Sequence, residues 1–283
     1  MAGSTTTTLN DLLPAITAEA MFVANERSIM RGLVKNYAIP ASNGKTITVP
    51  IYPTQTAAAV TEGAEVDNTE VSTSGVTLTV STVGIRTIIT DLVRASSASN
   101  VVADMGRLFG EAIAKKMDQD LLALFSGFSV GVGDASTAFS AATLANAVAR
   151  LRANAVPSDQ LACVVNPYVA YDLKSALTNT FANPNAGIIQ NEAMATGYVG
   201  TLFGVPVFET SNIANNGTAG DYVGAVFHRD ALGLAMIGDI AIETQRSARH
   251  IGDDIVASAH YGVGELYDGY GVKITADSSL VNP

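Results

Sequence analysis

Residues 54–95 hold strand-forming sequence with almost nothing bulky to pack behind it. Val76-Thr-Leu-Thr-Val80 alternates apolar and polar side chains, and Ile85-Arg-Thr-Ile-Ile-Thr90 is a second strand-like run. Ahead of them Thr56 to Val60 is small and apolar. Thr61 to Glu70 then carries Glu62, Glu65, Asp67 and Glu70 with no basic residue. The pattern predicts a long β-hairpin with an acidic, Ser/Thr/Gly-rich connecting segment. An isolated hairpin is marginal in water, so this one must lie on something else. Gly84, between two strand runs, is the candidate hinge.

The next segment has the opposite character. Val101, Met105, Leu108, Phe109, Ala112, Met117, Leu121, Leu124 and Phe125 recur at spacings of three and four, which predicts an amphipathic helix over 100–126. Asn100 is a candidate N-cap, Asp104 favours the first turn, and Gly127 is a natural stop. Such a helix is about 40 Å long at 1.5 Å per residue. It would be a strut for the whole subunit.

Around these two features the chain mixes helix and strand. Lys45-Thr-Ile-Thr-Val-Pro-Ile-Tyr52 has strand period, and Pro50 restricts that strand to an edge. Thr143 to Val156 reads as helix and Leu161 to Val165 as a buried strand. Pro167 opens a further helix to about Leu177. Strand-like runs follow at Tyr222–His228, Leu232–Ile237, Ile240–Thr244 and Ile255–Leu266, ending near Ile274. No internal repeat is visible.

Composition narrows the functions open to such a chain. Of 283 residues 48% are hydrophobic and 15% charged, against about 25% charged in an ordinary soluble domain, which suggests that much of the surface faces other subunits. The formal net charge is −10, and none of the lysines lies between Lys45 and Lys115, so wrapping duplex nucleic acid is disfavoured. One cysteine, Cys163, excludes an internal disulfide and a multi-cysteine metal site. The polar start from Met1 to Asn10 lacks a basic n-region, and no apolar run reaches 18 residues, so a soluble protein without membrane association is expected.

Motifs for chemistry are sparse. Gly127-Phe-Ser-Val-Gly131 matches the G-x-S-x-G nucleophile elbow, making Ser129 the one candidate for a serine hydrolase. That motif needs a serine on a turn from strand into helix, whereas Ser129 follows a helical pattern. His228, His250 and His260 have no zinc-ligand spacing. Cys163 sits in apolar sequence and reads as core, and Asn216-Gly217-Thr218 reads as a turn. The acidic run lacks the ligand order of an EF-hand. No catalytic residue, cofactor or metal is expected.

Several stretches carry a resemblance. Gly197-Tyr-Val-Gly-Thr-Leu-Phe-Gly-Val-Pro-Val-Phe-Glu-Thr210 resembles a "G-x-L-x-G-x-P-V" turn-strand segment, and Leu161 to Leu173 resembles the strand-then-helix before it. Ala225 to Leu232 and Tyr261 to Asp268 resemble two later strands of the same proteins. In that order they resemble the major capsid proteins of tailed phages with the Hong Kong 97-like fold. The resemblance implies an α+β chain with an N-terminal arm (1–53), an E-loop β-hairpin (54–95) and the spine helix of a peripheral domain (96–136). An axial domain (137–240) and C-terminal strands returning to the peripheral domain (241–283) complete it.

The resemblance further implies hexamers and pentamers of an icosahedral shell, with triangulation number seven as the common lattice. That shell is assembled in the host cytoplasm around DNA bound without sequence specificity. Portal, scaffolding and decoration or cement proteins are the implied partners, the scaffold as a separate chain because no long scaffolding region precedes the arm. Glu62, Glu65, Asp67 and Glu70, together with Arg86 and Arg94, are the candidate inter-subunit contacts. A covalent cross-link through an E-loop lysine is not expected, since 46–114 contains no lysine. An encapsulin-like nanocompartment is the alternative within the same fold.

Overall fold

The computed structural model describes residues 28–40, 44–52, 55–57, 59–63, 65, 70–96, 101–180, 201–216 and 220–280. In chain order α1 (Met30–Leu33) and β1 (Lys35–Ala38) precede two strands of a ribbon, β2 (Thr46–Ile51) and β3 (Ser74–Thr79). Then come β4 (Ser81–Thr90), α2 (Asp91–Ser96), the long helix α3 (Val101–Ala123), β5 (Gly131–Ala138), α4 (Ala141–Ala153), β6 (Leu161–Val165) and α5 (Pro167–Thr180). The strands β7 (Thr201–Leu202), β8 (Val205–Glu209), β9 (Asp221–His228), β10 (Leu232–Met236), β11 (Ala241–Ser247), β12 (Gly252–Glu265) and β13 (Gly271–Asp277) complete it.

Local chemistry accounts for the helices. Ser140 Oγ accepts the Thr143 amide at 3.3 Å and caps α4, and Asn166 Oδ1 accepts the Tyr168 amide at 3.0 Å at the start of α5. On α3, Phe109, Ile113, Met117, Leu121 and, in the 3-10 turn after it, Phe125 repeat every four residues and are buried. That stripe packs on β12, whose Ile255, Ala257, Ala259 and Tyr261 alternate toward it. Small residues on β12 let the helix lie close. Two i,i+4 pairs, Arg107–Glu111 at 3.1 Å and Lys116–Asp120 at 2.6 Å, lie on different sides of the helix, and Asp120 also accepts the Tyr261 hydroxyl of β12 at 2.8 Å. Helix α3 ends at Ala123 and tightens into a 3-10 turn over Leu124–Gly127, so it spans about 35 Å rather than 40.

Two main sheets organise the rest. In the first, β12 pairs antiparallel with β4 along one side and with β11 and β10 along the other, and β1 joins β10 in parallel. The second has the order β5-β13-β9-β6-β8-β7. One hydrophobic core runs through both, and Phe125 lies 6.4 Å from Phe128 and 5.4 Å from Phe227 between ring centroids. The chain passes between the sheets at 124–131, at 228–232 and at 265–271.

The hairpin differs from the sequence expectation. β3 pairs with β2 from Thr46↔Thr79 to Ile51↔Ser74, and β4 instead joins the first sheet from Gly252↔Thr90 to Tyr261↔Ser81. A boundary at 53/54 therefore cuts through the ribbon. The ten residues of β4 find a longer partner in β12 than β3 could offer. Residues 131–138 form the edge strand β5, for which β13 supplies a parallel partner. Among the described residues no helix is long and apolar enough to cross a membrane.

Candidate assembly surfaces

The β2–β3 ribbon is anchored at its base and bare at its end. Leu78 is buried between Gly233 and Gly264, and with Ile39, Val80, Ala235 and Leu266 it makes a small second core against which Ile47, Val49 and Val76 pack. Gly262 permits this seat, since a Cβ there would stand 2.2 Å from the Thr79 carbonyl oxygen. Beyond Ile51 and Ser74 the described residues of the connecting segment are exposed, with the Tyr52 carbonyl accepting the Tyr267 hydroxyl at 3.4 Å. Tyr52 (64% exposed), Val60 and Val71 face solvent, as do Glu62, Glu65 and Glu70. These three glutamates lie on the segment that connects β2 and β3, while Asp67 lies outside the described residues.

Arg86 and Arg94 are each paired within the subunit. Arg86 Nε donates to both Asp254 oxygens at 2.8 Å, and Arg94 donates to Asp253. Arg246 grips Asp91 with two bonds, at 2.5 and 2.6 Å, and lies 3.6 Å from Asp253. The Arg246 guanidinium bonded to Asp91 holds that carboxyl below its usual range, and Arg86 does the same for Asp254. Both sequence-predicted arginines are thus neutralised within the subunit by aspartates about 160 residues away. Gly84 lies inside the continuous strand β4, paired with Ser258, rather than between two strands.

Asp118 on α3 was invisible to the apolar periodicity. It is fully buried and accepts four bonds, from Ser28 Oγ (3.0 Å), the amides of Ile29 (3.0 Å) and Met30 (2.9 Å), and Asn212 Nδ2 (3.0 Å). One carboxylate therefore joins residues 28–30, the long helix and the 210–216 loop. A buried charge is tolerable only when so satisfied. The available signal was an acidic residue inside an apolar stripe.

Ser129 sits after the 3-10 turn and leads into β5, with its amide 2.7 Å from Asp268 Oδ1 and its hydroxyl bonded to Oδ2. Its partner is a carboxylate rather than the histidine base a hydrolase would use. His228 lies against the edge of Tyr270, His260 bonds Thr82 at 2.9 Å and His250 bonds Ser247 at 2.9 Å, each in a different place. Among the described residues no group of three or more His, Cys, Asp and Glu side chains could hold a metal. Cys163 is fully buried in β6, and burial pushes its thiol up to about 12.

The sequence profile of a family described as phage capsid protein matches residues 73–274. No curated protein matches the sequence. Among solved structures, a chain of the capsid of cyanophage P-SCSP1u is 18% identical with a TM-score of 0.73, over 99% of this chain and 97% of that one. A chain from Mycobacterium phage Che8 is 20% identical with a TM-score of 0.74, over 94% and 97%. A chain of the capsid of a native GTA particle is 12% identical with a TM-score of 0.73, over 98% and 100%.

Proposed function

The chain belongs to the phage capsid protein family, and from that premise we propose that it forms the hexamers and pentamers of an icosahedral shell around a double-stranded DNA genome. It is a structural capsid subunit of the virion with the Hong Kong 97-like α+β fold. The observation that carries the assembly reading is the ribbon, whose end bears exposed Tyr52, Val60 and Val71 and contributes no described residue to either hydrophobic core. Lying across a neighbouring subunit would bury that apolar surface. Glu62, Glu65 and Glu70 would then meet basic groups of the neighbour.

Each subunit repeats several such contacts, so modest interfaces add up to a strong container. The net charge of −10 suits an enclosure that does not adhere to phosphates. A separate scaffold, a portal and decoration proteins complete the proposal, with assembly in the host cytoplasm. Expression with and without the genomic neighbours, followed by negative-stain electron microscopy, tests it. Closed particles or rings of five and six subunits support the reading. Strictly monomeric protein under both conditions overturns it.

A further inference from the structure

Asn212 uses only one end of its side-chain amide. Its Nδ2 donates to Asp118 at 3.0 Å, while Oδ1 is, among the described residues, the one buried side-chain polar atom without a hydrogen-bond partner. Turning the amide over would not help, because a carboxylate only accepts and Asp118 needs the nitrogen. The residue is 4% exposed, and an acceptor left bare at such a site costs free energy until a donor reaches it. The same residue stands in the wall of a cleft of about 450 Å³ between the end of α3 and the 212–216 loop. Small-molecule sites have volumes of this order.

The helix side of the cleft adds a charge preference. Ala123 and Ser126 line it, from the end of α3 and from the 3-10 turn that continues the helix. A 23-residue helix gathers partial negative charge at its C-terminal carbonyls, where a cation is favourable, yet neither its last turn nor the 3-10 turn holds a basic residue. Lys116, the one ammonium among the lining residues, is committed to Asp120 at 2.6 Å. Leu122, Ile213, Ala214 and Val223 make much of the remaining wall apolar. Oδ1 is closed to bulk water, so a donor reaches it by a slight outward shift of the loop, where Ala214, Asn215 and Asn216 are exposed.

We propose that this cleft binds a small aliphatic amine, its ammonium between Asn212 Oδ1 and the C-terminal end of α3 and its methylene stem along Leu122, Ile213 and Val223. The chemistry of the wall selects that class. The orphan atom is an acceptor, so the ligand must donate, and an ammonium brings several N–H groups to one point. The helix end favours positive charge, which sets anions aside. A metal ion is poorly served, since among the described residues no group of three or more His, Cys, Asp and Glu side chains could hold one. A hydrocarbon stem suits the apolar wall, as the stems of lysine side chains suit apolar surface. The site needs no residue of a neighbouring subunit and stands apart from the assembly reading.

The purified full chain is titrated with n-butylamine at neutral pH and its thermal melt followed by circular dichroism. The controls are n-butanol, which has the same stem without the charge, and potassium chloride at equal ionic strength. A saturable rise in melting temperature of roughly 3–5 °C at about tenfold the dissociation constant is expected from the amine alone. Ser126→Lys sets an ammonium at the helix end from within the chain, and it should melt above the parent and show no further response. Ala123→Trp, at an exposed position on the cleft wall, should keep the parent's spectrum and lose the response by filling the space. An amine effect no larger than that of n-butanol or salt would overturn the proposal. So would an effect that persists unchanged in either folded variant, since the amine would then be bound elsewhere.

Discussion

Asn212 Nδ2 donates to Asp118 Oδ2 at 3.0 Å inside the protein, so the loop that follows β8 hangs on the same carboxylate that holds residues 28–30 to the long helix. Asp118→Ala would leave two backbone amides and a side-chain amide buried without their acceptor. Each unsatisfied group costs about 1–3 kcal/mol, partly relieved by relaxation. A loss of roughly 2–4 kcal/mol is expected from chemical denaturation, with Asp118→Asn milder because it keeps one acceptor oxygen. Hydrogen exchange should show the Ile29 and Met30 amides losing protection first. An unchanged denaturation midpoint for the alanine variant would contradict this account.

Glycine positions separate backbone contact from conformational freedom. Gly262 faces the Thr79 carbonyl so closely that an added methyl must push the ribbon base away, whereas a Cβ at Gly84 would lie 3.2 Å from the Ala257 oxygen. Gly262→Ala should therefore destabilise by about 1–3 kcal/mol or more. Gly84→Ala should stay within about 1 kcal/mol of the parent. Thermal melts of the two variants side by side test the ordering. The reverse order would mean that the ribbon is not seated on β12 as described.

Much of this architecture was legible because it is locally encoded. The four-residue stripe of α3, the buried run Leu161–Val165 and the proline opening α5 depend on neighbours within a few residues. What escaped depends on partners far along the chain. Val76–Val80 reads equally well with either flanking strand, and only the length of β12 decides that β4 leaves the ribbon. Arg86 and Arg94 look free in sequence because Asp254 and Asp253 lie 168 and 159 residues away. Asp118 looks like a break in a hydrophobic face until Ser28 and Asn212 are brought to it.

The Cys163 thiol should report global opening. Burial pushes it up to about 12, so at pH 8 almost no thiolate exists and no reagent has a path to it. Native protein treated with a thiol-reactive dye should remain unlabelled, and labelling should rise in step with unfolding as followed by circular dichroism. Rapid labelling of the native subunit would show that β6 opens locally, against its place in the middle of the second sheet.

Where the chain leaves β12 for β13, Glu265 and Asp268 form a carboxyl pair beside Ser129. Partial burial raises Glu265 above its ordinary value, reinforced by its hydrogen bond to Asp268. Partial burial also pushes Asp268 upward, but bonds from Ser129 and Glu265 and the nearby Lys273 charge bring it below its ordinary value. A carboxyl raised in the folded state favours folding fully below its unfolded value near 4.5, and that contribution is lost as pH climbs through the raised value. The lowered Asp268 works the other way, its contribution present above 3.8 and lost as pH falls. Glu265→Gln removes the first effect, while its amide can still donate to Asp268 and preserve the second. The variant should match the parent at pH 4 and become the more stable protein toward pH 7. Solvent screening keeps the gain below about 1 kcal/mol. Melting points across that range read the difference directly, and a gap that is largest at pH 4 would have the wrong sign for a proton shared between these two side chains.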